Sequence, residues 1–343
     1  MAYVLVTGGA GFIGSNLADR LAGLGQDVLL LDTLARPGVE RNLDWLRRRH
    51  PARIRAALAD IRDTDAVARA VRDASAVFHM AAQVAVTISL ADPVLDFEVN
   101  LRGTLNVLEA LRRHPGVPLV FASTNKVYGA LTDVPLMDDG GAYRPIDPVL
   151  RNHGIGEDRP LDFYTPYGCS KGAADQYVLD YARGFGVPAC VMRMSCIYGP
   201  RQLGTEDQGW LAHFLYQVRA GAPISIFGDG RQVRDVLYVD DAVDAYLAAW
   251  SRIGQVHGQA FNLGGGPSNA VTLLQVLDEI GRIAGCAPDV QFAGWRPGDQ
   301  RYFVADTRRA TAVLGLEPPV AWAEGLRRLD RWIGAEHLQA QAA

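Results

Sequence analysis

The 343-residue chain carries 34 Lys and Arg against 38 Asp and Glu, a formal charge of −4, with 49% hydrophobic and 21% charged residues. That length suits one large domain plus a smaller one, and so even a charge balance excludes general attraction to nucleic acid or to an anionic membrane. Four cysteines without a CxxC pair (Cys169, Cys190, Cys196 and Cys286) argue against a disulfide framework and a structural zinc site, and no His–carboxylate spacing suggests another metal. The opening Met1-Ala-Tyr-Val-Leu-Val-Thr reads as a strand rather than a signal peptide, and no apolar run reaches the length of a membrane span. A cytoplasmic location is the expectation.

Strands are predicted at Tyr3–Thr7, Asp27–Asp32, Ile54–Ala57, Ala76–His79, Leu119–Ser123 and Ala189–Arg193. Between them lie amphipathic helical patterns such as Phe12–Leu24 and Val94–Arg112. Buried strands alternating with helices imply a parallel sheet covered on both faces, wound in both directions from its centre. After residue 194 the pattern changes. A Gly-, Arg- and Gln-rich loop, Tyr198–Gly209, precedes a helix at Trp210–Ala220, strands at Ile224–Phe227 and Val236–Val239, and a helix at Asp240–Trp250. Phe261–Leu263 is expected to return to the main sheet, with helices near Thr272–Ala284 and Trp322–Ile333 completing a lid. The division is therefore a nucleotide-binding domain over 1–194, joined by 239–263, and a substrate domain over 195–238 and 264–343. The tail His337–Ala343 is expected to fray.

The first strand runs into Gly8-Gly9-Ala10-Gly11-Phe12-Ile13-Gly14. Glycines at 8, 11 and 14 tighten the turn, let backbone approach a pyrophosphate and let the helix pack on the strand, with the amides of Phe12 and Ile13 opening the helix. Alone, the pattern serves equally as a plain strand-to-helix turn. The second strand, however, ends at Asp32, where an acid reaches the adenosine ribose hydroxyls and repels a ribose phosphate, favouring NAD. Arg36, beyond Thr33 and Ala35, is the dissenting residue, because a guanidinium accommodates that phosphate. Asp60 and Ile61 are expected at the adenine, and Met80, Ala81, Ala82 and Gln83 along the dinucleotide.

Tyr167 and Lys171, four residues apart, fall on one helical face. A free phenol with a pKa near 10 is a poor base at neutral pH, but an ammonium and the positive charge of a nicotinamide favour the phenolate. This spacing also arises by chance as a surface pair. Here it follows a dinucleotide fingerprint and a strand ending Ser123-Thr124, whose hydroxyl can exchange hydrogen bonds with a reacting sugar oxygen. His79, at the end of a buried strand, reads as a core histidine with no catalytic part to play.

These residues resemble the extended short-chain dehydrogenase/reductase family, the NAD-dependent nucleotide-sugar epimerases and dehydratases. The resemblance spans nearly the whole chain, through Gly8-x-x-Gly11-x-x-Gly14, Asp60-Ile61-Arg62-Asp63, Asn100-x-x-Gly103-Thr104, Tyr167-x-x-x-Lys171 and Arg234-Asp235-Val236-Leu237-Tyr238-Val239-Asp240-Asp241. It implies a Rossmann-type doubly wound parallel sheet with a smaller C-terminal α/β substrate domain, bound NAD, and catalysis by Thr124, Tyr167 and Lys171. It further implies that Asn100, Ser123 and Ser195 line the cofactor and that Cys196 lies at the substrate. The family often dimerises through two long helices, here Asp92–His114 and Tyr167–Gly184, so a homo-oligomer, dimer or tetramer, is expected; ordinary packing within one chain gives the same apolar stripes.

Oxidation of a sugar alcohol acidifies the neighbouring carbons, and several reactions can follow. Family dehydratases place Asp-Glu after the strand-end Thr; here Asn125-Lys126 stand there, which supply no carboxylic acid and disfavour elimination. Epimerisation by hydride removal and return remains, with a plain dehydrogenase or a non-catalytic dinucleotide-binding protein as the other readings. The segments Ser123–Gly129, Tyr167–Tyr177, Ser195–Gln202 and Gly204–Trp210 together resemble the CDP-paratose 2-epimerase subgroup (the CDP-tyvelose 2-epimerases), implying inversion at carbon 2 of a CDP-hexose. A carbon-4 epimerase of a UDP sugar would share every catalytic residue. Candidates for the nucleotide-sugar substrate are Arg201, Arg234 and Arg296 for its diphosphate, and Val84, Thr87, Thr124, Asn125, Lys126, Cys196 and Gln208 around it.

Overall fold

A computed structural model describes residues 2–342, with side chains described through Glu336. Seven strands form the main sheet: β1 (Tyr3–Thr7), β2 (Val28–Asp32), β3 (Ile54–Leu58), β4 (Ala74–His79), β5 (Leu119–Thr124), β6 (Ala189–Met194) and β7 (Ala260–Leu263). Their order is β7-β6-β5-β4-β1-β2-β3, and every pairing is parallel. The order reverses between β1 and β4, the switch point outside which ligands bind in sheets of this kind.

Hydrophobic cores cover both faces of this sheet. Phe12–Gly23, Val39–Arg49 and Val239–Ser251 pack on one face over Val4, Val6, Phe78 and Met192. Thr64–Arg72, Gly103–Arg112 and Thr165–Gly184 pack on the other over Leu5, Val77, Phe121 and Val191. Alternation along each strand divides its side chains between the two cores, so all five residues of β1 are buried.

A third core lies in the C-terminal part. Strand Val233–Tyr238 pairs with Ala270–Thr272, Tyr302–Phe303 and Cys196–Tyr198, while helices Trp210–Arg219, Leu273–Ala284 and Trp322–Ala342 enclose Phe214, Ile226, Tyr238 and Leu329. The expected lid elements appear within a few residues of their predicted bounds, the main difference being a strand that starts at Val233 rather than Val236. The tail expected to fray, His337–Ala343, lies beyond the described side chains. No helix among the described residues is long and apolar enough to cross a membrane.

Two departures from the predicted elements bear on the site. The helix expected over Val94–Arg112 contains a π-turn, Glu98–Arg102, between Pro93–Phe97 and Gly103–Arg112. A one-residue bulge of this sort leaves the 3.6-residue apolar period legible on either side, so periodicity alone does not reveal it. The segment 129–166 also holds a hairpin, Leu136–Asp138 with Tyr143–Pro145, and a short helix Pro148–His153.

His79 is fully enclosed, its Nδ1 2.6 Å from the Thr7 hydroxyl and its Nε2 3.1 Å from that of Thr104. Burial, with the Lys171 charge adding to it, pushes its pKa down from 6.5 to about 3. Between those values the unfolded chain binds the proton and the folded one does not, so stability is complete above pH 6.5 and lost as pH falls toward 3. Urea unfolding near pH 7 and near pH 5 should show this histidine contributing a loss of about 1.4 kcal/mol per pH unit below its unfolded pKa. His79→Gln is expected to flatten that slope; a slope equal to that of the parent protein would contradict the assignment.

Candidate active site

The carboxyl ends of β1, β2, β4, β5 and β6 bring the predicted residues to one edge of the sheet. Gly8 follows β1 with φ +64°, and its N–H donates to the Leu31 carbonyl at 2.8 Å. A Cβ on Gly8 would lie 2.7 Å from the Ala81 nitrogen, and one on Gly14 would lie 2.9 Å from the Gly9 Cα, so both positions exclude a side chain. Gly11 caps Phe12–Gly23 with no side-chain bond to its first turn, leaving the leading amides of Phe12 and Ile13 aimed out of the helix. Asp32 accepts from the amides of Ala10 and Leu34, each at 2.9 Å, which fixes its carboxylate beside the glycine turn. This cradle fits a dinucleotide: close backbone, a helix start for the phosphates and an acid for the ribose.

The flanking residues differ in how they are held. Thr33 and Ala35 are exposed, whereas the Arg36 guanidinium is engaged by Gln208 Oε1 and, at 2.6 Å, by the Leu203 carbonyl. The residue that left room for a ribose phosphate is thus occupied by the 203–208 loop. Asp60 pairs with Arg62 at 2.7 Å, and Ile61 is buried against Gly103. Met80, Ala81, Ala82 and Gln83 are half-buried along β4's exit, with the Gln83 amide donating to Asn100 Oδ1 at 2.9 Å.

The helix that carries Tyr167 starts at Thr165, a non-glycine at φ +65°, and Pro166 occupies its first turn. Thr124 is the last residue of β5, and its side chain lies near enough to the Tyr167 phenol to lower its pKa. Lys171 Nζ donates to the Ala122 carbonyl at 2.6 Å and lies 4.3 Å from the centre of the Phe121 ring. Burial pushes Lys171 down to about 7, with Asp175 and Asp96 opposing. The phenol departs from the sequence expectation. Burial pushes Tyr167 up to about 12, Thr124 pulling it back and Asp96 raising it further. Proximity of an ammonium in sequence did not weigh the cost of enclosing a phenolate, which is the larger effect here.

Beneath these groups runs a buried polar chain. Arg193 holds Asp175 through two bonds, at 2.9 and 3.0 Å, and donates to the Tyr128 hydroxyl at 3.1 Å. Ser123 donates to the same Asp175 at 2.7 Å, and Tyr128 to Asn262 at 2.8 Å. Ser195 is held by the Asp235 carboxylate, whose pKa burial raises to about 6.

On the opposite side, Lys126 Nζ reaches the Gly298 carbonyl at 3.3 Å and Asp299 at 3.9 Å, while Arg234 binds Asp299 at 2.6 Å. Cys196, packed in the same core as Trp210, adjoins this cluster: burial raises its thiol, and Arg234 and Lys126 act to lower it. Asn125 is buried beside Thr124, and the Thr87 hydroxyl, in the segment after β4 that also holds half-buried Val84, is enclosed without a partner among the described residues. Three predicted substrate residues are not gathered here. Arg201 stacks 3.4 Å over the Trp45 ring and donates to Asn16, because the turn at Pro200 throws it onto the helices of the first core. Gln208 is bound to Arg36. Arg296 pairs with Glu206 at 3.0 Å and stacks on Phe227, so it joins two loops instead of meeting Arg234.

Two signals escaped the sequence reading. Of 34 Lys and Arg, only two are lysine, Lys126 and Lys171, and both lie at this site. Arginine keeps its proton throughout the accessible range, whereas a buried lysine titrates, so a chain otherwise stocked with arginine marks these positions by composition alone. The other is Asp96, a wholly buried carboxylate in Pro93–Phe97 that belongs to none of the motifs.

A family model described as NAD dependent epimerase/dehydratase family matches residues 4–264. CDP-paratose 2-epimerase of Salmonella typhi is 39% identical, over 96% of this chain and 98% of its own length. UDP-glucose 4-epimerase of Mycolicibacterium smegmatis is 34% identical, over 94% and 96%. The UDP-glucose 4-epimerase of Thermus thermophilus, solved as a complex with NAD, superposes with a TM-score of 0.81 at 34% identity, covering 97% of this chain and 99% of that one. The Thermotoga maritima enzyme, solved with UDP-glucose, gives 0.84 at 31%, covering 98% and 99%. With the glycine cradle, the strand-end Thr124 and the Tyr167–Lys171 pair in one place, the chain belongs to the NAD-dependent epimerase/dehydratase family.

Proposed function

We propose that this protein inverts carbon 2 of a CDP-linked hexose through a transient 2-keto sugar. The observation that carries the reading is the juxtaposition of Thr124 and the Tyr167 phenol at the end of β5, followed directly by Asn125-Lys126 in place of an acidic pair. The 39% identity to a CDP-paratose 2-epimerase supports the position of the inverted carbon and the nucleotide.

Gly8, Gly11, Phe12, Ile13, Gly14 and Asp32 would hold NAD at the switch point, with Ser123, Asn100 and Ser195 bordering it. Held there, NAD would supply reversible hydride acceptance from the sugar carbon. Tyr167 accepts the proton of the carbon-2 hydroxyl as the carbonyl forms, and Thr124 orients that oxygen. Lys171 favours the phenolate by its charge, offsetting part of the burial that raises the phenol. After the ketosugar turns over, Tyr167 returns the proton to the same oxygen while hydride reaches the opposite face, so no redox equivalent is consumed. Asn125 and Lys126 supply neither the carboxylic acid nor the carboxylate base of an acidic pair, which disfavours elimination. Lys126 and Arg234 set two cations against the single Asp299 carboxylate, an excess suited to a diphosphate.

Freshly purified protein should contain NAD. Supplied with CDP- and UDP-hexoses in deuterated water, it should invert carbon 2 of a CDP sugar and leave that carbon free of solvent deuterium. Inversion at carbon 4 of a UDP sugar instead would assign it to the activity of the M. smegmatis and T. maritima relatives, and deuterium at carbon 2 would mean enolisation. Tyr167→Phe should lower kcat by about a thousandfold while keeping NAD bound; turnover near the parent rate would remove Tyr167 from the chemistry.

We also propose a homodimer. Val94 and Phe97 on Pro93–Phe97, and Tyr177 on Thr165–Gly184, are exposed apolar groups on two helices that pack together. A second copy of this face would cover them. Sedimentation equilibrium should return twice the chain mass of 37.2 kDa, and Phe97→Glu should return a single chain.

A further inference from the structure

Among the described residues Asp96 has no ion-pair partner, and three side chains meet it. Gln83 Nε2 and Asn100 Nδ2 donate to Oδ1 at 2.8 and 3.0 Å, and the Ser170 hydroxyl donates to Oδ2. Other bonds settle the orientation of both amides. Gln83 Oε1 accepts from the Ala85 amide at 2.6 Å and Asn100 Oδ1 from the Gln83 amide at 2.9 Å, so both NH2 groups must face the carboxyl. Asn100 Nδ2 also donates to Ser170 Oγ at 3.2 Å, and of the two acceptors within reach of the Ser170 proton, the Tyr167 carbonyl at 3.3 Å and Asp96 Oδ2, the carboxylate is the nearer. All three partners donate, a shell that favours the carboxylate; burial pushes the Asp96 pKa up, and these donors together with the Lys171 charge oppose that push.

Lys171 has the complementary lack. Its two direct contacts, the Ala122 carbonyl and the Phe121 ring, carry no full charge. Tyr167 lies one turn before it on the same helix, and the ionisable groups whose charges act with it are Asp175 from that helix, His79 from β4 and Asp96 from Pro93–Phe97. His79 is neutral and Tyr167 holds its proton. Asp175 acts on Lys171 more strongly than Asp96 does, but its charge is matched by the two bonds from Arg193. With that pair cancelled, one anion and one cation are left.

We propose that Asp96 is a positioning residue that supplies the counter-charge keeping Lys171 an ammonium and, through Ser170, fixes the Tyr167 helix to the Gln83 loop. The proposal rests on the role given to Lys171 above. Burying an unmatched ammonium beside a cationic cofactor costs several kcal/mol, and a carboxylate bound only by neutral donors keeps its full charge available to offset that cost.

Having two lysines makes the test direct. The full chain, labelled with 15Nζ-lysine and saturated with NAD, should show two side-chain resonances, Lys126→Arg identifying which is which. Asp96→Asn preserves shape, its oxygen accepting from Gln83 and Asn100 and its NH2 facing Ser170, but removes the charge. The Lys171 midpoint is expected to fall by about one pH unit or more in this variant. Ser170→Ala, which breaks the clamp and keeps the charge, should leave the midpoint unmoved. An unchanged midpoint in Asp96→Asn, or an equal fall in Ser170→Ala, would overturn the proposal. If Asp96→Asn does not fold, the parent protein still decides, since Lys171 found as an amine near pH 6 overturns it as well. The titration needs no sugar, so a shifted Lys171 in a protein that epimerises nothing would defeat the proposed function and leave this inference standing.

Discussion

The two-bond pairing of Arg193 with Asp175 joins the helix of Tyr167 and Lys171 to the sheet. Asp175 lies one turn beyond Lys171, Arg193 is on β6, and Ser123 of β5 shares the same carboxylate. Three elements distant in sequence are thereby held in one register at the edge where chemistry is expected. Both partners are buried, so removing either would strand the other's charge, at a cost of about 3–5 kcal/mol. Any tilt of that helix would be felt at the phenol, whose approach to Thr124 depends on how β5 and the helix meet.

Burial acts on the two catalytic candidates in opposite directions. It raises the phenol and lowers the ammonium, bringing both toward the neutral forms that a dry site favours. The protein alone is therefore arranged to keep Tyr167 protonated. A positive charge arriving beside it reverses that preference, which couples readiness for proton transfer to cofactor occupancy. The Asp96 carboxylate sits on the other side of this balance, favouring the charged lysine and disfavouring the phenolate.

Much of this was legible in the sequence, because the first half of the chain uses strong local signals. Glycines at 8, 11 and 14 follow an apolar strand, and Asp32 closes the next, so turn, helix start and ribose acid could be placed by spacing. His79 was readable as a core residue for a similar reason, its strand being apolar throughout. What escaped depends on distance in space. Arg201, Gln208 and Arg296 sit in loops where an arginine looks alike whether it faces a phosphate or an aromatic ring. Asp96 escaped because a lone acid in a helical pattern is ordinarily solvated, and it takes the π-turn after it, the Gln83 loop and Ser170 of the Tyr167 helix to enclose it. The raised phenol was missed because spacing reports neighbours but not the solvent they displace.

The near absence of lysine gives the molecule an unusual chemical surface. Reagents that acylate primary amines meet guanidinium groups almost everywhere on the exterior and do not react with them. Their two side-chain targets are Lys126, partly shielded by the Gly298 carbonyl, and the enclosed Lys171. Labelling that scatters over dozens of positions in an ordinary protein would here become a gauge of how open one cleft is.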